Sequence, residues 1–179
     1  DQDLEELKRR IEQRGYKCAI KTYKNRAKSI DIDPHKRGCS RKEYKKSLRK
    51  ELEKLGILKQ KRIPDEYLCA SINQRRDLLC GLMDTDGTVS KAGQCVFVQK
   101  NREITEQVLE LIRGLGYKAK IREYNAACNG IPAGTAYGIS FYADKNNPCF
   151  LMERKKERLK ENLSARMQAK SIVNIEKID

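Results

Sequence analysis

A single histidine, His35, stands among 179 residues, and no two of the seven cysteines form a C-x-x-C pair. One imidazole on a basic turn, Asp33-Pro34-His35-Lys36, cannot build a histidine–metal nuclease site. Cys18, Cys39, Cys69, Cys80, Cys95, Cys128 and Cys149 are scattered too widely to read as zinc ligands. Several of them fall at apolar-periodic positions, where a reduced thiol acts as a small hydrophobe, so they are expected in the core of an intracellular, cytoplasmic protein. Long apolar runs are lacking as well. None approaches the roughly 18 residues that read as a membrane-spanning helix, so no membrane partner is expected. No secretory signal opens the chain, and its start, Asp1-Gln2-Asp3, reads as cut from something longer.

Acid is the scarcer sign of charge. Against 39 Lys and Arg stand 25 Asp and Glu, a formal net charge of +14. That excess exceeds what solubility asks and implies a polyanionic partner, most simply nucleic acid. The length allows one good core or two small ones, and alternating helical and strand patterns indicate a mixed α+β fold.

What is present is a repeat. Arg14-Gly15-Tyr16-Lys17-Cys18-Ala19-Ile20-Lys21-Thr22-Tyr23 parallels Leu115-Gly116-Tyr117-Lys118-Ala119-Lys120-Ile121-Arg122-Glu123-Tyr124 in its G-Y-K, its isoleucine and its final tyrosine. Leu4, Leu7 and Ile11 mark a helix that Gly15 ends; Ile104, Val108, Leu111, Ile112 and Leu115 mark another that Gly116 ends. Each is followed by an alternating strand, 17–24 and 118–124. The second copy continues through a loop with Gly130, Pro132 and Gly134, a strand over 136–142 and a basic helix over about 148–160. Before its helix lie Thr88 to Ser90, a Lys91-Ala92-Gly93 turn and a strand over 95–98. From Asn73 the order is helix, strand, strand, helix, strand, strand, helix. The first copy has the last four of these elements, closing with a helix over 42–55.

The helix that opens the complete copy starts at a capping box, Ser71-Ile72-Asn73-Gln74, and ends in Leu79-Cys80-Gly81-Leu82-Met83-Asp84-Thr85-Asp86-Gly87. Leu78, Leu79, Leu82 and Met83 share one face, while Gly81 and Thr85, four apart, leave a side thin enough for a second helix to approach. Two carboxylates and a glycine stop the helix. Alone, D-x-D-G also fits an amphipathic helix closed by an Asp-Gly turn. A calcium loop fits worse, because its glycine follows a third ligand position.

This nine-residue string resembles the LAGLIDADG motif of homing endonucleases: Leu79, Gly81, Leu82, Asp84, Asp86 and Gly87 are identical to it, and Cys80, Met83 and Thr85 are small or apolar substitutes. Lys61-Arg62-Ile63-Pro64 resembles the K-x-I-P block that precedes the second motif in the intein-encoded branch. The resemblance implies αββαββα units with saddle-shaped antiparallel sheets, the first unit incomplete. It implies two motif helices side by side, each presenting an acid to Mg²⁺ at a scissile phosphate of double-stranded DNA. Two carboxylates about 4 Å apart at an effective dielectric near 20 repel by roughly 4 kcal/mol, which bound Mg²⁺ reverses. Such a cation polarises a phosphoryl oxygen and lowers the pKa of water.

Carried over on that resemblance, Asp86 is the metal-binding acid with the Thr85 carbonyl as a further ligand. Gly81, Asp84 and Gly87 are structural, Lys61 activates or orients water, and Gln99 organises solvent. A second lysine that the family often places before the last strand has no counterpart in 130–134. Lys17, Lys21, Lys24, Lys118, Lys120 and Arg122 alternate along the equivalent strands and are the candidate DNA contacts. Basic helical runs 42–50 and 154–160 suit phosphate, or a solvated helix face.

Ser171 to Asp179 resembles the first strand of a splicing-domain block. No nucleophile opens the chain, no T-x-x-H block is visible, and no His-Asn closes it, so this chain is not expected to splice by itself. The expected map is an incomplete first subdomain over 1–58, a linker with the K-x-I-P block over 59–73, a second subdomain over 74–163 and the start of a splicing strand over 164–179. The expected activity is site-specific, metal-dependent double-strand cleavage. It would be completed by a missing N-terminal segment carrying the pseudo-symmetric motif helix, or by a homodimer through Leu79 to Thr85. Alternatives are a non-catalytic DNA-binding relative, either a degenerate intein domain or a transcription regulator, and a maturase-like RNA-splicing cofactor.

Overall fold

The structure, a computed structural model, describes residues 2–32, 48–128, 130–164, 171–172 and 174–177, and the chain divides into units 1–60 and 61–179. The expectations for His35, Cys39 and the run 42–47 fall outside the described residues, as does the side chain of Cys128.

In the first unit, helix α1 (Gln2–Gln13) leads to an antiparallel hairpin of β1 (Cys18–Tyr23) and β2 (Arg26–Ile32), then to helix α2 (Leu48–Lys54). Arg9 and Arg10 both bond the Glu6 carboxylate, three and four residues away on one helix face, and hold its pKa down at about 2. Gly15 closes α1 with φ +85°, a left-handed conformation that costs glycine little. Its N–H donates to Glu12 O at 2.9 Å and that of Tyr16 to Ile11 O at 3.4 Å, the paired bonds of a Schellman end. The Tyr16 hydroxyl donates to Glu51 of α2. None of the described side chains of this unit is buried.

The second unit runs α3 (Asp65–Leu68), α4 (Ile72–Asp86), β3 (Gly87–Val89), β4 (Gln94–Gln99), α5 (Arg102–Gly114), β5 (Lys120–Cys128), β6 (Ile131–Tyr142) and α6 (Glu153–Lys156). From α4 onward this is the expected αββαββα order. The four strands form one antiparallel sheet in the order β3-β4-β6-β5. Ser71 accepts from the Gln74 N–H and Gln74 reaches back, so the capping box forms and α4 starts at Ile72. Asn101 caps α5 by accepting from Ile104 N–H. Gly116 ends α5 as Gly15 ends α1: its N–H donates to Arg113 O at 2.9 Å and that of Tyr117 to Ile112 O at 3.2 Å.

Alternation along the strands then decides what is covered. Val89, Cys95, Phe97, Ile139 and Phe141 lie on one sheet face and pack with Leu79 and Met83 of α4 and Val108, Leu111 and Ile112 of α5. Full burial of each large member contributes about 1.5–3 kcal/mol. Cys80, Cys95 and Cys149 are buried as expected, whereas Cys69 is exposed and Cys18 half-exposed. Burial pushes the Cys80 thiol up to about 11 and raises those of Cys149 and the Tyr117 phenol as well.

Two expectations change. Strands β5 and β6 continue through the segment read as a loop, pairing Ala127 with Pro132 and Cys128 with Ile131 across a register shift at Ala126/Ala127. Proline is tolerated there because the hairpin has left the body of the sheet. The helix expected over 148–160 shrinks to the four residues of α6, since the amides of Leu151 and Met152 are taken by Asp84 instead of a helical turn. In the tail, Ile172 and Ile175 are 81% and 83% exposed. Among the described residues no helix is long and apolar enough to cross a membrane.

Candidate functional site

Helix α4 has 15 residues, a rod of about 22 Å, and it delivers both motif carboxylates to its C-terminal end. That is the negative end of the helix dipole, where acids are disfavoured, so each requires a reason to be there. The two are treated differently. Asp84 is half-buried, and its carboxylate accepts the N–H of Leu151 at 2.9 Å and that of Met152 at 3.3 Å. Asp86 is exposed, and its Oδ2 accepts from Gln99 Nε2 at 2.5 Å. Gln99 reaches it from the end of β4, whose pairing of Gly87 with Phe97 sets the helix end beside that strand. Thus Asp86 and Gln99 come together. Thr85 is also exposed, and its hydroxyl bonds back to Gly81 O and Leu82 O at 3.1 and 3.0 Å.

The two motif glycines also differ. A Cβ on Gly87 would lie 2.6 Å from Met83 O, so glycine is required for β3 to leave the helix so tightly. A Cβ on Gly81 would meet nothing within 4 Å. Nothing in this unit demands a small residue at 81.

Lys61 is exposed and makes no hydrogen bond or ion pair with Asp86 among the described residues. Its neighbours are anchored: Ile63 and Pro64 are buried, and the Gln107 amide of α5 accepts from Ile63 N–H at 2.8 Å and donates to Ile63 O at 3.1 Å.

Sheet register places Lys120 and Arg122 on the face turned away from α4 and α5, in rows with Val96 and Ser140 and with Val98 and Gly138. Tyr124 shares that face and its ring approaches Gly138; a Cβ there would meet it at 3.1 Å. Lys120, Arg122 and Tyr124 are all exposed. Lys118 precedes β5, also exposed. In the first unit Lys17 precedes β1, Lys21 is paired with Asp31 at 2.5 Å, and Lys24 lies in the β1–β2 turn, so the alternation expected along that strand is reduced to Lys21. A strand flips its side chains at every residue, and 24 is out of phase with 17 and 21.

One residue at the end of the motif helix went unread. Lys155, treated in the sequence as part of a phosphate-facing run, is 9% exposed and donates to the carbonyls of Met83, Asp84 and Gly87 at 2.9, 2.8 and 2.8 Å. A basic residue flanked by Arg154 and Lys156 carries no local mark of burial.

Among the described residues no group of three or more His, Cys, Asp or Glu converges as a metal cage. The groups that would hold a cation at the helix end are the exposed Asp86 carboxylate and the Thr85 carbonyl. Oxygen donors so few suit Mg²⁺, which keeps several waters and binds through one or two carboxylates with substrate phosphates. They do not suit zinc, which takes four nitrogen, sulfur or oxygen ligands in a closed structural site.

Comparison with known proteins agrees with the fold. Residues 73–138 match the family model described as LAGLIDADG-like domain. The replicative DNA helicase DnaB of Mycobacterium intracellulare is 35% identical over 136 residues, covering 74% of this chain and 23% of the helicase. The chain therefore spans about a quarter of that relative. Domains of this family are typically nucleases, generally bind DNA and generally use a divalent metal. With its motif helix, its antiparallel sheet and its match in sequence, the chain carries a LAGLIDADG-like domain at residues 73–138.

Proposed function

We propose that this chain is the homing-endonuclease part of an intein, cutting both strands of duplex DNA at a specific site with Mg²⁺. The observation that carries this reading is the division between the motif acids: Asp84 is consumed by backbone amides, while Asp86 is exposed with Gln99 beside it. A purely structural D-x-D would have no use for the second. Asp86 and the Thr85 carbonyl would hold the cation, which supplies charge neutralisation at the phosphate and an acidified water. Gln99, whose amide carries both donor and acceptor, fixes the Asp86 carboxylate and orients solvent next to it. Lys61 is the proposed water-activating base or orienting cation. Lys118, Lys120 and Arg122, with Lys17, Lys21 and Lys24 of the first unit, supply contacts to DNA. A second motif helix, from the same polypeptide or a second copy, packs on the open Gly81 and Thr85 side and brings the partner acid.

The intein reading draws on the match to a replicative helicase over a minor share of its length, as expected of an inserted domain within a host protein. A DNA-binding relative that no longer cuts is the second reading, favoured by the exposed basic face of Lys120 and Arg122, which serves DNA binding whether or not Asp86 cuts.

The test is incubation with a long duplex carrying the uninterrupted host gene, with Mg²⁺ or with a chelator. Discrete cuts should form only with metal, and Asp86→Asn should abolish them while leaving DNA affinity within about threefold. Binding without cutting at any metal concentration selects the second reading; cutting that survives Asp86→Asn overturns the assignment of the acid. Arg122→Ala or Lys120→Ala should each flatten the salt dependence of binding, by about 0.9 in slope for every phosphate the side chain neutralises.

A further inference from the structure

The segment 151–155 grips the end of the motif helix twice. Leu151 and Met152 hold the Asp84 carboxylate, and three residues later Lys155 holds the backbone. Its Nζ donates to three carbonyls, of Met83, Asp84 and Gly87, at 2.8–2.9 Å. Three accepted bonds require three N–H donors, which an ammonium has and a neutral amine lacks. A full positive charge therefore sits almost out of reach of water. The Phe150 ring, 5.3 Å from Nζ, adds its negative face.

Removing an ammonium from water costs several kcal/mol unless acceptors and opposite charge compensate it. Here both do: the last carbonyls of a helix carry about half a negative charge, and Asp84 adds its own. The compensation is mutual, because Lys155 offsets the repulsion of placing two acids at that negative end. Its acceptors also bracket Asp86, with Asp84 before it and Gly87 after it. The backbone on either side of the exposed acid is thereby fixed by one side chain from a distant part of the sequence, beyond the family match that ends at residue 138.

We propose that Lys155 is a positioning residue for Asp86, clamping the turn from α4 into β3 so that the exposed carboxylate is presented to metal and phosphate in one place. This rests on the endonuclease reading above. Two roles for the ammonium make opposite predictions. If Lys155 only balanced charge, removing it would make the site more negative and tighten cation binding. If it positions Asp86, removing it weakens cation binding although the site has become more negative.

The experiment measures Mn²⁺ affinity of the chain bound to duplex DNA, by electron paramagnetic resonance, for wild type, Lys155→Met and Lys155→Gln. The glutamine keeps two N–H donors without the charge and serves where the methionine variant does not fold. Amide hydrogen exchange in the metal-free protein is followed alongside. We expect Mn²⁺ affinity to fall about tenfold or more, as for loss of a residue that orients a metal ligand. Exchange at residues 84–88 should quicken while α5 amides are unchanged. Equal or tighter Mn²⁺ binding in folded Lys155 variants overturns the positioning role and leaves the endonuclease reading intact. Absence of Mn²⁺ binding by wild type overturns that reading and this inference together.

Discussion

The two repeats share a local code and differ in what it is attached to. Helices α1 and α5 end on the same pair of backbone bonds around Gly15 and Gly116, and each delivers a tyrosine and then a strand with a basic residue and an exposed tyrosine, Lys21 with Tyr23 and Arg122 with Tyr124. Yet Leu7 is 40% exposed where its counterpart Val108 is fully buried. The difference is the layer above. In the second unit, α4 and the β3–β4 hairpin give α5 a surface to bury against, and an amphipathic stripe becomes a core. A helix end is written in a few adjacent residues; a core is written across a whole unit.

That contrast can be tested by equal changes in the two copies. Ile112→Ala removes a fully buried side chain and should destabilise the second unit by about 2–5 kcal/mol, whereas Ile11→Ala, at a half-exposed position, should cost less than about 1 kcal/mol. Chemical denaturation followed by hydrogen exchange resolves the two units; equal losses would show that the first has a core of its own. Within the motif, Gly87→Ala should cost about 1–3 kcal/mol because its methyl would enter the Met83 backbone. Gly15→Ala and Gly116→Ala should each cost about 1–2 kcal/mol, alike in both units, since both glycines are left-handed and meet nothing nearby. Smaller still, Gly81→Ala should stabilise the isolated unit by up to about 1 kcal/mol through helix propensity. If Gly81→Ala instead lowers the melting temperature of the isolated unit, the open side assigned to that residue is wrong. Last, a thiol reagent should modify Cys69 and then Cys18 well before Cys80, Cys95 or Cys149, whose burial hides them and, at Cys80, keeps the thiol protonated. Mass mapping of the modified peptides reads the order.

Much of the second unit was legible because its signals are local. Ser71 and Gln74 three residues apart announced the start of α4, Gly116 the end of α5, and the apolar run 95–98 the strand β4. What escaped depends on distant partners. Asp84 and Lys155 are 71 residues apart in sequence, and neither announces that one carboxylate will take amides from 151–152 or that one lysine among three neighbouring cations will be withdrawn from solvent. The extra length of β5 and β6 was missed for the opposite reason: Gly130, Pro132 and Gly134 are strong turn residues, and long-range pairing overrode them. The site was half legible, since the acid came from the motif but its grip did not.

The Gln107 amide, bonded to both polar groups of Ile63, acts as a single rung of sheet ladder supplied by a side chain. Its consequence is practical. A fragment trimmed to the boundary at residue 73 would strip Ile63 out of the interior and strand an amide that now has both its needs met. The smallest piece worth expressing therefore begins before Arg62, a dozen residues ahead of where the family match starts.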